Sequence, residues 1–172
     1  MRHLKTTAVV VSPQTVPRAS RGFSLIELLI VVAIILIIAS IAIPNLMRAR
    51  MAANETAAVA NLRTISTANV IYSTQWGIGY AAQLADMGGT GAFSPTAAQL
   101  IDVILASSAK NGYTFTYVSA PPSLAGIVDS YTVNVAPLNP GTTGQRYFFM
   151  SESGIIRANP SAPASVSDTP IQ

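Results

Sequence analysis

The chain has 172 residues, of which half are hydrophobic and only 10% are charged, against roughly 25% in an ordinary soluble domain. That shortfall excludes a typical soluble globular protein and a charge-rich disordered one. The formal net charge of +3 is local: Arg2, Lys5, Arg18 and Arg21 stand among the first 22 residues with no acidic partner, so the charge balance is not a nucleic-acid footprint. There is no cysteine, and the one histidine is His3. Disulfides, thiolate metal sites and most nucleophile–base pairs therefore lack their parts. No metal or other cofactor is expected, and neither is enzymatic activity.

In chain order, residues 1–22 form a basic leader. From Phe23 to Ile43 the chain is apolar except for Ser24, Glu27 and Ser40. At about 1.5 Å per residue this segment reaches roughly 31 Å, the thickness of a bilayer core. A secretory signal fits poorly, because its apolar region is shorter and ends in a small-residue cleavage site. A retained transmembrane helix over 23–43 is expected. Four cations precede it, and Arg48 and Arg50 follow it, which places the N-terminus in the cytoplasm.

Glu27 stands out within this segment. A carboxylate inside an apolar run costs up to roughly 3 kcal/mol at the centre of a bilayer and less near its surface. Two readings stand open: a partner for Glu27, or snorkelling toward the headgroups at the positive end of the helix.

Pro44 lacks a backbone donor and is expected to kink the helix. Beyond it, Met47, Met51, Ala58, Leu62, Ile65, Tyr72 and Trp76 recur at steps of three, four or seven, the mark of an amphipathic continuation over 44–76. Gly77 supplies a stop. The whole helix, Phe23 to Trp76, would be roughly 80 Å long. Residues 77–158 read as a globular head. It starts with a Gly- and Ala-rich loop to Ser94 and a short helix over Pro95–Ala106, opened by Ser94-Pro95. Alternating strands follow at 113–118, 131–135, 146–150 and 155–157. Residues 159–172, with three prolines, are expected to form a flexible tail. The fold class is α+β: a long kinked helix on an antiparallel sheet of three or four strands.

The run Arg21-Gly22-Phe23-Ser24-Leu25-Ile26-Glu27-Leu28-Leu29, continuing to Ala42-Ile43-Pro44, resembles the N-terminus of type IV prepilins and of the related pseudopilins of type II secretion. The resemblance implies the pilin fold. It implies that a prepilin peptidase cuts between Gly22 and Phe23 and methylates the new amine of Phe23. It further implies subunit assembly through Glu27 and Phe23, a bacterial inner-membrane precursor, an inner-membrane assembly platform as partner, and membrane lipid around the helix before assembly. The product would be a homo-oligomer, or a mixture of pilins, in a helical filament. The expected function is a structural subunit of a type IV pilus; the alternative is a secretion pseudopilin. Leu36 stands where many family members have Gly, so a more continuous helix is expected here.

Overall fold

The structure, a computed structural model, describes residues 22–123 and 125–171. The leader 1–21 lies outside the described residues. The chain divides into two compact units, Met1–Ser40 and Ile41–Gln172. One helix, α1 (Leu25–Trp76), is assigned without interruption through Pro44.

In the first unit, α1 is apolar all round, and nearly every side chain from Leu25 to Ser40 is exposed. Such a surface is unsuited to water and suited to lipid or to other helices. The helix is long and apolar enough to cross a membrane.

In the second unit, the remainder of α1 packs on a sheet. Ala58, Leu62, Ile65, Ala68 and Tyr72 are buried along one face, following the predicted periodicity. Gly77 ends the helix with φ 66°. It donates its amide to Ser73 O at 3.0 Å, in the left-handed conformation that glycine adopts without a Cβ penalty.

The sheet has six antiparallel strands in sequential order: β1 (Ala109–Lys110), β2 (Tyr113–Ser119), β3 (Tyr131–Pro137), β4 (Tyr147–Ser151), β5 (Ile156–Asn159) and β6 (Thr169–Pro170). The four long strands are those expected. The extra two add a two-residue pair at each edge. β1 exists because Asn111 (φ 52°) and Gly112 (φ 75°) turn the chain back on itself. Asn-Gly is the pair that a two-residue hairpin favours. Tyr113, Phe115, Val133, Val135, Phe148 and Met150 face α1 and complete the core.

Two expectations are corrected. Pro95–Ala106 is not one helix: only α2 (Val103–Ala106) is helical, capped by Asp102, whose carboxylate accepts from Leu105 N–H. Ala98, Gln99 and Leu100 donate their amides to the carbonyls of Asp86, Gly88 and Met87. Tertiary bonds thus replace intrahelical ones, and Gln99 takes φ 52°. The preceding loop carries a 3-10 turn, Leu84–Met87, which buries Leu84 and Met87 in the core.

The tail is the second correction. It folds back instead of trailing. Asp168 accepts from Ser165 N–H at 2.7 Å and from Asn159 Nδ2 at 2.8 Å. Ala164 is buried, and Ile171 donates its amide to Ile156 O. Proline content signalled disorder, but Ser-rich turn chemistry around one aspartate outweighs it.

A buried polar clamp ties α1 to the β3–β4 connection. The Glu55 carboxylate accepts from Gln145 N–H (2.9 Å), Arg146 N–H (3.2 Å) and Arg146 Nε–H (2.7 Å). Beside it, Asn54 Nδ2 donates to Thr143 O at 2.7 Å. Asn54 and Glu55 therefore join the helix to this loop. Deeper in the core, Asn69 is fully buried. Its Oδ1 accepts from Ala81 N–H, and the Tyr117 hydroxyl lies 3.0 Å away.

Candidate functional site: the helix start and its carboxylate

The candidate site is the junction between leader and helix. Gly22, Phe23 and Ser24 are non-helical and exposed, and the helix begins at Leu25. Phe23 is 80% exposed. No heavy atom lies within 4 Å of where a Cβ on Gly22 would stand. The Gly22–Phe23 bond is therefore non-helical chain open to solvent.

The start at Leu25 has a local cause. Ser24 N–H donates to Glu27 Oε2 at 2.9 Å. Ser24 O accepts the first helical bond, from Leu28 N–H. Ser24 is thus the N-cap and Glu27 the third helical residue, the S-x-x-E arrangement of a capping box. The carboxylate also meets the positive end of the helix. This is a role for Glu27 that the apolar-run argument missed, although Ser24-Leu25-Ile26-Glu27 carries the signature.

The structure brings Glu27 to Ser24, one residue from Phe23. Only Oε2 is engaged in that bond. Pro44 lies in the second unit, away from this cluster in sequence. The remaining polar side chains of the apolar region turn back on their own helix. Ser40 Oγ donates to Ile37 O at 2.7 Å, and Asn45 Nδ2 donates to Ile41 O at 3.1 Å. Each bond removes the cost of an unpaired polar group in a lipid-like setting. Among the described residues, no three His, Cys, Asp or Glu side chains gather into a metal-binding group.

The second unit presents a further feature of α1. Ala53, Ala60, Thr64, Thr67, Ile71 and Thr74 are exposed, and Ala57 is half-buried; together they recur at alternating steps of four and three. Thr64 and Thr67 donate their hydroxyls to Ala60 O and Arg63 O. Their methyl groups are what remains to face outward. The seam is narrow, small and nearly uncharged, a surface suited to close approach of another helix.

Comparison with known proteins finds similarity over the same N-terminal segment. Residues 17–43 match the family model of the prokaryotic N-terminal methylation motif. Over 45 residues the chain is 58% identical to the type IV wide pilus major component PilA4 of Thermus thermophilus, a match covering 26% of this chain and 34% of that protein. Over 49 residues it is 51% identical to the type IV major pilin protein PilA of Myxococcus xanthus, covering 28% of this chain and 22% of that protein. The chain thus spans about a third or less of the length of these curated relatives. No solved structure matches it. This N-terminal segment, with Gly22 and Phe23 at an open junction and Glu27 at the head of an apolar stretch of helix, carries the prokaryotic N-terminal methylation motif and is similar to the corresponding segment of type IV pilins.

Proposed function

We propose that this protein is a structural subunit of a type IV pilus, made as a membrane-anchored precursor and assembled through its N-terminal helix. Prepilin peptidase cuts between Gly22 and Phe23, and the amine of Phe23 is methylated. The cut lies before the apolar helix, so the helix stays in the product. The leader's four cations hold the N-terminus in the cytoplasm, and the assembly platform receives the helix from the membrane. Pro44, which lacks an amide donor, is where the helix bends most readily. The protein does its work without catalysis.

The observation that carries this reading is the carboxylate of Glu27 at the head of the exposed, apolar first stretch of α1. Cleavage creates an amine of reference pKa near 7.7–8.0, cationic at neutral pH. An older subunit raised by about one helical turn brings its amine to the depth of the next subunit's Glu27. Oε2 is held by Ser24 N–H, which leaves Oε1 to accept from that amine. Pairing offsets two desolvated charges, and removing one partner costs about 3–5 kcal/mol. The exposed small-residue seam then lets the helices of neighbouring subunits lie close. Both matched relatives are named as pilus proteins, which favours the pilus over the secretion pseudopilus.

Two substitutions test the charge pair. Glu27→Gln keeps an acceptor for Ser24 N–H but has no charge, whereas Glu27→Ala has neither. Both are expected to be cleaved normally and to yield at least tenfold less protein in sheared surface filaments. Normal filaments from Glu27→Gln would reduce Glu27 to a helix cap and overturn the pairing.

A further inference from the structure

The chain has seven acidic residues, and most are engaged within their own subunit. Glu27 and Asp102 serve helix starts, Glu55 forms the clamp and Asp168 holds the tail. Asp86 is buried and accepts from Gln83 Nε2 at 3.0 Å. Asp129 and Glu152 remain. Both are exposed, and neither side chain has an ion pair among the described residues. They lie at the same end of the sheet. Glu152 follows β4 and donates its amide to Tyr131 O at 3.2 Å, and Asp129 stands two residues before Tyr131, where β3 begins.

The cations have a matching remainder. A cleft of about 330 Å³ beside α1 is lined by Arg63 and Arg146, with Thr56, Val59, Ala60 and Ile171. The Arg146 guanidinium is held from two sides: Nε donates to Glu55 Oε2 at 2.7 Å, and Cζ lies 5.4 Å from the centroid of the Phe148 ring. That leaves its two Nη groups as a fixed fork. Arg63 is exposed and has no ion pair among the described residues. Glu55 offsets one of the two charges, so the cleft stays positive. Two guanidiniums at one opening suit a carboxylate, which takes paired N–H bonds on its two oxygens. Arg48 and Arg50 are exposed as well, but two residues apart they point about 200° from each other around the helix and share no partner surface.

We propose that the cleft takes the Glu152 carboxylate of a second copy of this chain, with Asp129 adding negative charge at the same end. β4 separates Arg146 from Glu152 and holds their backbones about 20 Å apart in one subunit, so the acid does not reach Arg146 of its own chain. Cleft and acids are different patches of one surface. Each copy therefore gives its acid end to one neighbour and its cleft to another, the heterologous contact that extends into a helical filament. Ala60 belongs both to the cleft and to the small-residue seam, so the charge contact continues the surface on which neighbouring helices lie close. This contact presupposes the filament reading above.

The chain has no cysteine, so introduced thiols are unique. A tagged Arg63→Cys chain and an untagged Glu152→Cys chain are expressed together, and sheared filaments are treated with a short bismaleimide. Tagged-to-untagged dimers are expected, and far fewer when the untagged chain carries Ser107→Cys, on an exposed site beside β1. A charge exchange reads the contact without thiols. Arg63→Glu is expected to lower filament yield about tenfold, because every subunit of the filament repeats the loss. Adding Glu152→Arg to the same chain should restore most of the yield, with the unfolding temperature unchanged throughout. Filaments that give no such dimers, a normal yield from Arg63→Glu, or no recovery in the combined variant would overturn the contact and leave the pilus reading standing. Absence of the unaltered chain from sheared filaments would overturn that reading and the contact with it. If Arg63→Glu keeps its filaments but loses a stabilisation by inorganic phosphate, the cleft holds a free anion and the contact is overturned.

Discussion

Glu55 illustrates how one side chain can fix a loop. Burial pushes its pKa up, but the Gln145 amide, the Arg146 guanidinium and amide, and the Arg146 charge outweigh this and hold it below the usual value of 4.5. A depressed folded value means that Glu55 contributes stability above the unfolded pKa, and that this is lost as pH falls through the lower folded value. The unfolding temperature of the chain should therefore drop as pH is lowered from about 4.5. Glu55→Gln should flatten that dependence. At pH 7 it should cost about 1–3 kcal/mol, the range for leaving charged hydrogen-bond partners unmatched. Thermal unfolding by circular dichroism at pH 7 and pH 3 reads both effects. At the same loop, a Cβ on Gly144 would stand 2.0 Å from the Tyr113 hydroxyl oxygen, which itself donates to Arg146 O. Gly144→Ala should lower stability measurably, and Tyr113→Phe in the same chain should restore part of the loss. Neither the clamp nor this contact was legible in the sequence. Glu55 and Arg146 stand 91 positions apart, and a one-dimensional reading cannot pair distant charges.

At the scale of elements, α1 uses two faces for two purposes. Leu62, at 0% exposure, serves the fold, and Leu62→Ala should cost about 2–5 kcal/mol through the cavity it leaves. Ala60 is exposed on the opposite, small-residue face. Ala60→Glu should leave the unfolding temperature of the subunit nearly unchanged while reducing filament yield at least tenfold. Loss of stability with filaments intact would invert the assignment of the two faces. The buried face was readable because the apolar spacing of Ala58, Leu62, Ile65 and Tyr72 matches a helix. The four long strands were readable for the same reason, at period two. What the spacing could not show was where tertiary bonds override local preference. Ser94-Pro95 looks like a helix start, but the amides after it are taken by residues 86–88. The Asp168 turn is a similar case. Asp168→Ala should free the tail for cleavage by a nonspecific protease, detectable by intact mass, while leaving the rest of the head protected.

For the molecule as a whole, the residues of the candidate site need no tertiary structure to be brought together. Gly22, Phe23 and Glu27 lie in one continuous stretch, and a charge at fixed spacing in an apolar helix needs no fold to be noticed. The cap formed by Ser24 was written in the same four residues and is local chemistry. The cleft beside α1 was not legible, because Arg63 on the helix and Arg146 before β4 share it only in the folded chain.

Sequencing and mass analysis of the N-terminus of the protein recovered from cell-surface filaments tests the proposed processing step most directly. The expected mature chain begins at Phe23, carries a methyl group on its α-amine and retains every residue of the apolar segment through Ile43. A surface protein that still begins at Met1, or one cut beyond Ile43, would contradict it.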